Sequence, residues 1–245
     1  MKKLILSAVL LSVFTVNKAQ EKDIEEVIVT GKVMSLPYKK SNANITIISK
    51  SQIENVAAQS VEEVLAYYTG MDIRKRGANG VQTDVLMRGS SFEQVLLLIN
   101  GVRINDAQTG HNSMNLPFDV SSVERIEILK GPAARRFGEG AYAGVINVVT
   151  KPSSENNIVL NGEGGDFNSY SGGVSSNFGS ENFRNVIQVN HSQSDGYRYN
   201  TDYKVNNVYY QNQYKINNGS VKFQAGCQEK KFGANGFYAS PAYKD

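Results

Sequence analysis

The 245-residue chain has one cysteine, Cys227, two histidines, His111 and His191, and no tryptophan. A single thiol excludes an intramolecular disulfide and a cysteine-based zinc site, and Cys227, on the apolar face of a strand pattern, reads as a small packed residue. The two imidazoles lie in different compositional zones with no motif around either, and His111, in Thr109-Gly110-His111-Asn112, reads as an exposed loop residue. No nucleophile elbow, phosphate loop or H-E-x-x-H is present, so the sequence offers no enzyme site and requires no cofactor or metal. Long apolar runs are scarce as well. The only one, residues 4–16, is too short for a transmembrane helix and follows Lys2 and Lys3, the order of a signal peptide ending at Ala19; a buried amphipathic helix is the alternative. Removing 1–19 takes Lys2, Lys3 and Lys18 and no acidic residue, which leaves a nearly neutral remainder. Without a clustered basic stripe, nucleic acid is not an expected partner.

What the chain does have is a distinctive spacing of strands and glycines over residues 123–151, VERIEILKGPAARRFGEGAYAGVINVVTK. Val123, Ile126, Ile128 and Leu129 mark a short strand that Lys130-Gly131-Pro132 stops. A Gly-rich connection, 138–144, then leads into a β-branched strand, 145–150, suited to a buried sheet. Upstream, 44–49 reads as a strand and Ser49 or Ser51 as the cap of a short helix. Ser60 reads as the cap of a helix over 61–68, with Glu62 and Glu63 in its first turn and Gly70 as its stop. Residues 71–74 and 84–88 are further strands. The run 95–99 is apolar throughout, hence a strand buried on both faces, ended by Asn100-Gly101 and followed by a strand from Val102.

The 123–151 run resembles the plug signature of TonB-dependent outer-membrane receptors, and MRGSS followed by VLLLINGVRIN extends the likeness over most of 41–151. Phe137 stands where that family usually has Tyr, and Ala143 where it usually has Gly. The expected fold is therefore an α+β plug domain, a small mixed β-sheet with short helices, over residues 41–151. Ahead of it, residues 20–40 carry Glu25-Glu26-Val27-Ile28-Val29-Thr30-Gly31, a lone strand with acidic flanks that cannot bury itself and suits pairing with a second chain. The segment looks like the family's TonB box, which implies TonB as partner; an ordinary first strand of the next domain is the other reading.

Residues 152–245 change period. Segments 158–164, 170–176, 185–193, 205–216 and 220–228 are strand-length pieces between Gly, Asn, Ser and Asp turns. Val221, Phe223, Ala225 and Cys227 alternate with Lys222, Gln224, Gly226 and Gln228. That pattern fits a transmembrane wall, apolar out and polar in, or equally one sheet of a soluble sandwich. The upstream resemblance favours the first antiparallel strands of an incomplete transmembrane β-barrel. Plugged barrels close with about 22 strands, so the expectation is an N-terminal part of a receptor that does not transport alone.

The resemblance is nearest to the vitamin B12 branch, whose cobalamin-contacting plug positions would fall on Gln82, Asp84, Ser91, Thr109 and Gly110. It also implies that Arg88, Glu124 and Arg125 sit at strand ends and pair with the wall; plain surface arginines are the alternative. The loop 195–202 is similar to calcium-binding aspartate loops of that branch, but with only Asp195 and Asp202 as carboxylates it reads as a hydrated turn. The implied function is a component for energy-coupled uptake of cobalamin at the cell outer membrane, in contact with its lipid if the barrel is completed. A ferric-siderophore or haem receptor, with a ferric chelate as ligand, and a stand-alone exported module binding TonB or ligand are the alternatives.

Overall fold

The computed structural model describes the backbone of residues 28–30 and 35–37, and residues 44–237 apart from 57, 78–80, 107 and 218. In chain order, β1 (Ile28–Thr30) pairs antiparallel with β2 (Ser35–Pro37). Then come β3 (Asn44–Ser49), α1 (Lys50–Glu54), α2 (Val61–Thr69), β4 (Asp72–Arg76), β5 (Gln82–Leu86), β6 (Val95–Ile99), β7 (Val102–Arg103), β8 (Val123–Lys130) and β9 (Gly144–Thr150). Five long strands finish the fold: β10 (Asn157–Gly165), β11 (Ser169–Gly179), β12 (Phe183–Ser194), β13 (Tyr203–Ile216) and β14 (Gly219–Phe232).

The first unit is a mixed sheet in the order β3-β8-β9-β6-β7, with β6 and β9 parallel and the other pairs antiparallel. β6 is buried along its whole length because the sheet has a core on each face. Val95, Leu97 and Ile99 join Ile53, Val61, Val64 and Leu65 of the two helices, whereas Leu96 and Leu98 point the other way, toward Ala134 and Ala141. The period-2 alternation of a strand thus serves two cores at once.

Local chemistry sets the element ends. Ser49 and Gln52 form a capping box at α1. At α2 the expected cap differs: Ser60 occupies the position, but its hydroxyl accepts no helix N–H. The Glu63 carboxylate instead accepts from Gln59 N at 2.8 Å. Gly70, at φ 60°, ends the helix as a left-handed stop. Asn100 and Gly101 both take positive φ, 51° and 81°, as a tight hairpin between β6 and β7 requires. Gly144 is fixed by close approach: a Cβ there would lie 2.3 Å from Met87 Sδ and 2.7 Å from the Leu129 carbonyl. The departures at Ala143 and Phe137 fit, since both pack as partly buried residues against the cores.

Two strand boundaries are corrected. The β4–β5 hairpin pairs Asp72 with Leu86 and Arg76 with Gln82, so it sits later in the first strand and earlier in the second than the sequence suggests. Arg88 therefore leaves the strand and lies exposed in a turn at φ 55°.

The second unit, β10 to β14, is an antiparallel meander with neighbours in chain order, and among the described residues no strand pairs with its two edges. Its inner face lies on the first unit and its outer face is bare and apolar, with Ile158 and Leu160 71% and 74% exposed. One outer row crosses the sheet as Leu160, Val174, Val189, Val208 and Cys227. This arrangement is the start of a barrel wall around a plug, not a sandwich. Cys227 is exposed on the outer row, which corrects its reading as a packed core residue.

Candidate functional site

Two places concentrate polar side chains: the apical loops of the first unit and the boundary between plug and wall. At the apex, Asp84 of β5 is only 3% exposed, and a carboxylate that buried needs partners. His111 Nδ1 lies 2.6 Å from Asp84 Oδ1, and Arg76 Nη2 lies 3.7 Å from Oδ2. The imidazole also stacks on Phe92, with ring centres 4.3 Å apart. Gly110 brings the loop against that ring: a Cβ on it would lie 2.8 Å from Phe92 Cδ2. Thr109 Oγ1 accepts from His111 N at 3.3 Å, and Asp106 Oδ1 accepts from the backbone N–H groups of Gln108 and Thr109. Those two bonds hold the exposed Asp106 carboxyl below its ordinary range.

The five ligand candidates therefore divide. Ser91 is exposed and Thr109 and Gly110 are half-buried in the apical loops, while Gln82 and Asp84 are buried in β5 behind them. The structure joins Asp84 to Thr109 and Gly110 through His111, whose reading as a free surface residue is corrected.

The plug–wall boundary is carried by glutamines. Asn100 Nδ2 donates to Gln224 Oε1 at 2.6 Å, and Gln224 Nε2 returns a bond to the Ile99 carbonyl at 3.3 Å. Thr150 Oγ1 donates to Gln211 Oε1 and receives from the Tyr209 hydroxyl, each at 2.9 Å, while Gln211 Nε2 donates to the Thr150 carbonyl at 3.2 Å. Gln188 Oε1 accepts from Asp119 N at 3.2 Å and from Ser122 Oγ at 2.8 Å, and Gln228 Nε2 donates to the Leu116 carbonyl at 2.8 Å. Tyr209 itself is 2% exposed and belongs to the main plug core, against Phe118. The closest backbone approach is at Gly226, where a Cβ would lie 2.5 Å from Pro117.

The expected pairing sets plug arginines against carboxylates of the wall. Arg125 bonds Glu127 on its own strand at 2.8 Å, and Glu127 in turn accepts from Asn147 Nδ2 at 2.9 Å. The charges that meet across the boundary have the opposite polarity. Glu62, in the first turn of α2, is 5% exposed rather than solvated, and it lines a cavity of about 670 Å³ together with Lys230 of β14. Burial pushes the Glu62 carboxyl above its ordinary range, against the pull of Lys230 and Lys75. Lys230 Nζ also donates to the Val81 carbonyl at 3.2 Å and to Asn115 Oδ1 at 2.8 Å.

The inward glutamines and Lys230 are the polar members of the alternation visible in the sequence, but nothing local tells which of them meets the plug. Of the TonB-box candidates, Ile28, Val29 and Thr30 form β1 and pair with Pro37, Leu36 and Ser35, so this strand has one edge satisfied within its own chain. Glu25, Glu26, Val27 and Gly31 lie outside the described residues. In the loop 195–202, Thr201 closes the turn through bonds to the Arg198 N–H and carbonyl.

Comparison with known proteins finds a family match over part of the chain. Residues 37–145 match the family model described as TonB-dependent Receptor Plug Domain. The vitamin B12 transporter BtuB of Vibrio vulnificus (strain CMCP6) is 39% identical over 144 residues, which cover 58% of this chain and 23% of that protein. Its namesake in Vibrio cholerae (strain O395) is 34% identical over 139 residues, covering 57% and 22%. The chain thus spans less than a quarter of the length of these relatives. Among solved structures, Pseudomonas aeruginosa FpvA, crystallised with pyoverdines, superposes with a TM-score of 0.66 at 17% identity over 82% of this chain and 27% of its own. The ferric yersiniabactin uptake receptor FyuA of Yersinia pestis gives 0.62 at 18% identity over 78% and 32%. At such identity these two establish the fold alone.

Proposed function

Since residues 37–145 are a TonB-dependent receptor plug domain, we propose that the chain is the N-terminal, energy-accepting part of an outer-membrane receptor that takes up a cobalamin-like nutrient. The observation that carries this reading is the wall that clasps the plug with an inner polar face and turns an apolar face outward. On that outer face Phe178, Phe183, Tyr214 and Phe223 stand toward one end and Tyr170 toward the other, where the loop 195–202 adds the exposed Tyr197 and Tyr199. The stretch from Phe183 to Gln193 runs roughly 33 Å along β12 at about 3.3 Å per residue. Tilted by about 40°, it spans about 25 Å, the height of a lipid-facing band between aromatic girdles.

Within that reading β1 and its flanks, 25–31, offer a strand to TonB in the periplasm, by addition at the edge that β2 leaves free. Ser91, Thr109 and Gly110 form the ligand-facing part of the plug, and Gln82, Asp84 and His111 hold it in position from behind. Among the described residues both edges of the β10–β14 sheet are without a neighbouring strand, which lipid does not tolerate, so import needs a wall completed by further strands. The likeness to vitamin B12 transporters over the plug favours cobalamin over iron chelates. Equilibrium binding to a receptor carrying this plug in a complete wall tests it, with cyanocobalamin and a ferric siderophore compared on one preparation. Saturable binding of cyanocobalamin alone is expected; binding of the siderophore alone would transfer the receptor to the iron class, and binding of neither would leave the module that engages only TonB.

A further inference from the structure

Lys230 of the wall donates to two plug segments distant in sequence, and a third segment shares its cavity. Its ammonium donates to the Val81 carbonyl, just before β5, and to the Asn115 side chain, at the foot of the loop that carries Thr109, Gly110 and His111. Glu62 faces the same cavity from the first turn of α2. Two residues along β14, Gln228 holds the adjacent Leu116 carbonyl, so the foot of the loop is pinned at consecutive positions by side chains from one face of one strand. Farther up, the loop is pinned to β5 through His111 and Asp84, and β5 begins beside Val81. The segments that present the apical face and the helix beneath them therefore meet at a single wall cation.

We propose that Lys230 is a clamp: a positioning residue that ties the apical loop, the start of β5 and helix α2 to the wall, so that displacement of the loop loosens α2. The chain of cause is short. Moving the loop takes Asn115 from the ammonium and frees the Lys230 side chain to swing away from the Glu62 side of the cavity. That strips Glu62 of one of its two nearby cations, Lys75 being the other, and a buried carboxylate that loses a cation is the costly half of a broken buried pair. Burial already lifts the Glu62 carboxyl above its ordinary range, so the helix end is sensitive to that loss. The clamp itself follows from contacts within the chain; its use as a ligand signal rests on the receptor reading above.

Amide hydrogen exchange on the whole 245-residue chain in detergent micelles, with no ligand added, separates the two. Lys230→Met is expected to speed exchange about tenfold or more at 61–64, 81–84 and 112–116 together, and to leave β9 unchanged. Lys230→Arg keeps the charge and is expected to stay within threefold of the parent. The double variant Glu62→Gln with Lys230→Met removes both charges and is expected to return 61–64 close to the parent rate, while 112–116 stays fast because Asn115 has lost its donor. A general packing role would give no such selective rescue. Acceleration confined to β14, or a double variant in which 61–64 exchanges as fast as in Lys230→Met alone, would overturn the clamp. Should Lys230→Met not fold, Glu62→Gln alone is expected to speed exchange at 61–64, because it takes the carboxylate from the ammonium, and silence there would equally overturn the clamp. Failure to bind cyanocobalamin in the experiment above would leave every one of these outcomes readable.

Discussion

The plug sheet and the wall sheet each have five strands, yet they solve burial in different ways. The plug sheet has a core on each face, so β6 and β9 are buried at every position. The wall sheet has one face satisfied by the plug through amides and a tyrosine, and one face with nothing on it but its own side chains. A folded unit that shows a contiguous apolar face of this size is built for contact with something apolar. On the proposed reading the wall rests one face on the plug and the other on lipid.

That contrast is open to attack in order of effect. Leu65→Ala empties a fully buried position in the plug core, and a loss of about 2 to 5 kcal/mol is expected, read as a lowered denaturation midpoint of the plug transition. Val208→Arg on the outer row is expected to cost about 2 to 4 kcal/mol in a bilayer. In water-rich surroundings the same change should stay within about 0.5 kcal/mol, because an exposed arginine off the core perturbs little. Equal cost in both media would remove lipid from the account. Gln211→Leu removes the acceptor of the Thr150 hydroxyl and the donor to the Thr150 carbonyl, with an expected cost of about 1 to 3 kcal/mol. It should couple to Thr150→Val in a double-mutant cycle, which distant pairs do not do.

The smallest effect compares two neighbours in one helix turn. Glu62 has its folded pKa raised by burial, so the folded state holds its proton more tightly than the unfolded chain. Its contribution is present at low pH and lost as pH rises above about 4.5, the ordinary value. Glu63 is also opposed by burial, but its bonds from Lys75 and Gln59 N win and lower its pKa, so its contribution is present above about 4.5 and lost on acidification. Stability of Glu62→Gln and Glu63→Gln followed from pH 3 to 7 should therefore tilt in opposite directions. Parallel curves would mean that Glu62 is not sequestered at the boundary.

Much of the plug was legible because its strands are buried on both faces and its turns need glycine. The run 95–99 and the stops at Gly70, Gly101 and Gly131 all fall where the sequence places them. The β4–β5 hairpin slid because pairing register, not propensity, fixes where a short polar strand begins, and Arg88 moved into a turn as a result. The wall strands were legible from alternation, but each extends past the apolar stretch that marked it, since hydrogen bonding to a neighbour continues into polar residues. The site was harder. His111 gains its meaning from Asp84, far away in sequence, and Gln188, Gln211 and Gln224 gain theirs only once the wall is docked on the plug. Glu62 was legible as a first-turn carboxylate and not as a buried one, because no local pattern reveals what lies across a boundary.

The central claim is that the outer face of β10–β14 meets lipid, and Cys227, the only cysteine of the chain, stands on it. A nitroxide attached to Cys227 in a bilayer-reconstituted receptor should relax faster with oxygen, which partitions into lipid, than with a water-soluble nickel chelate. Greater access to the nickel chelate than to oxygen at Cys227 would contradict the account.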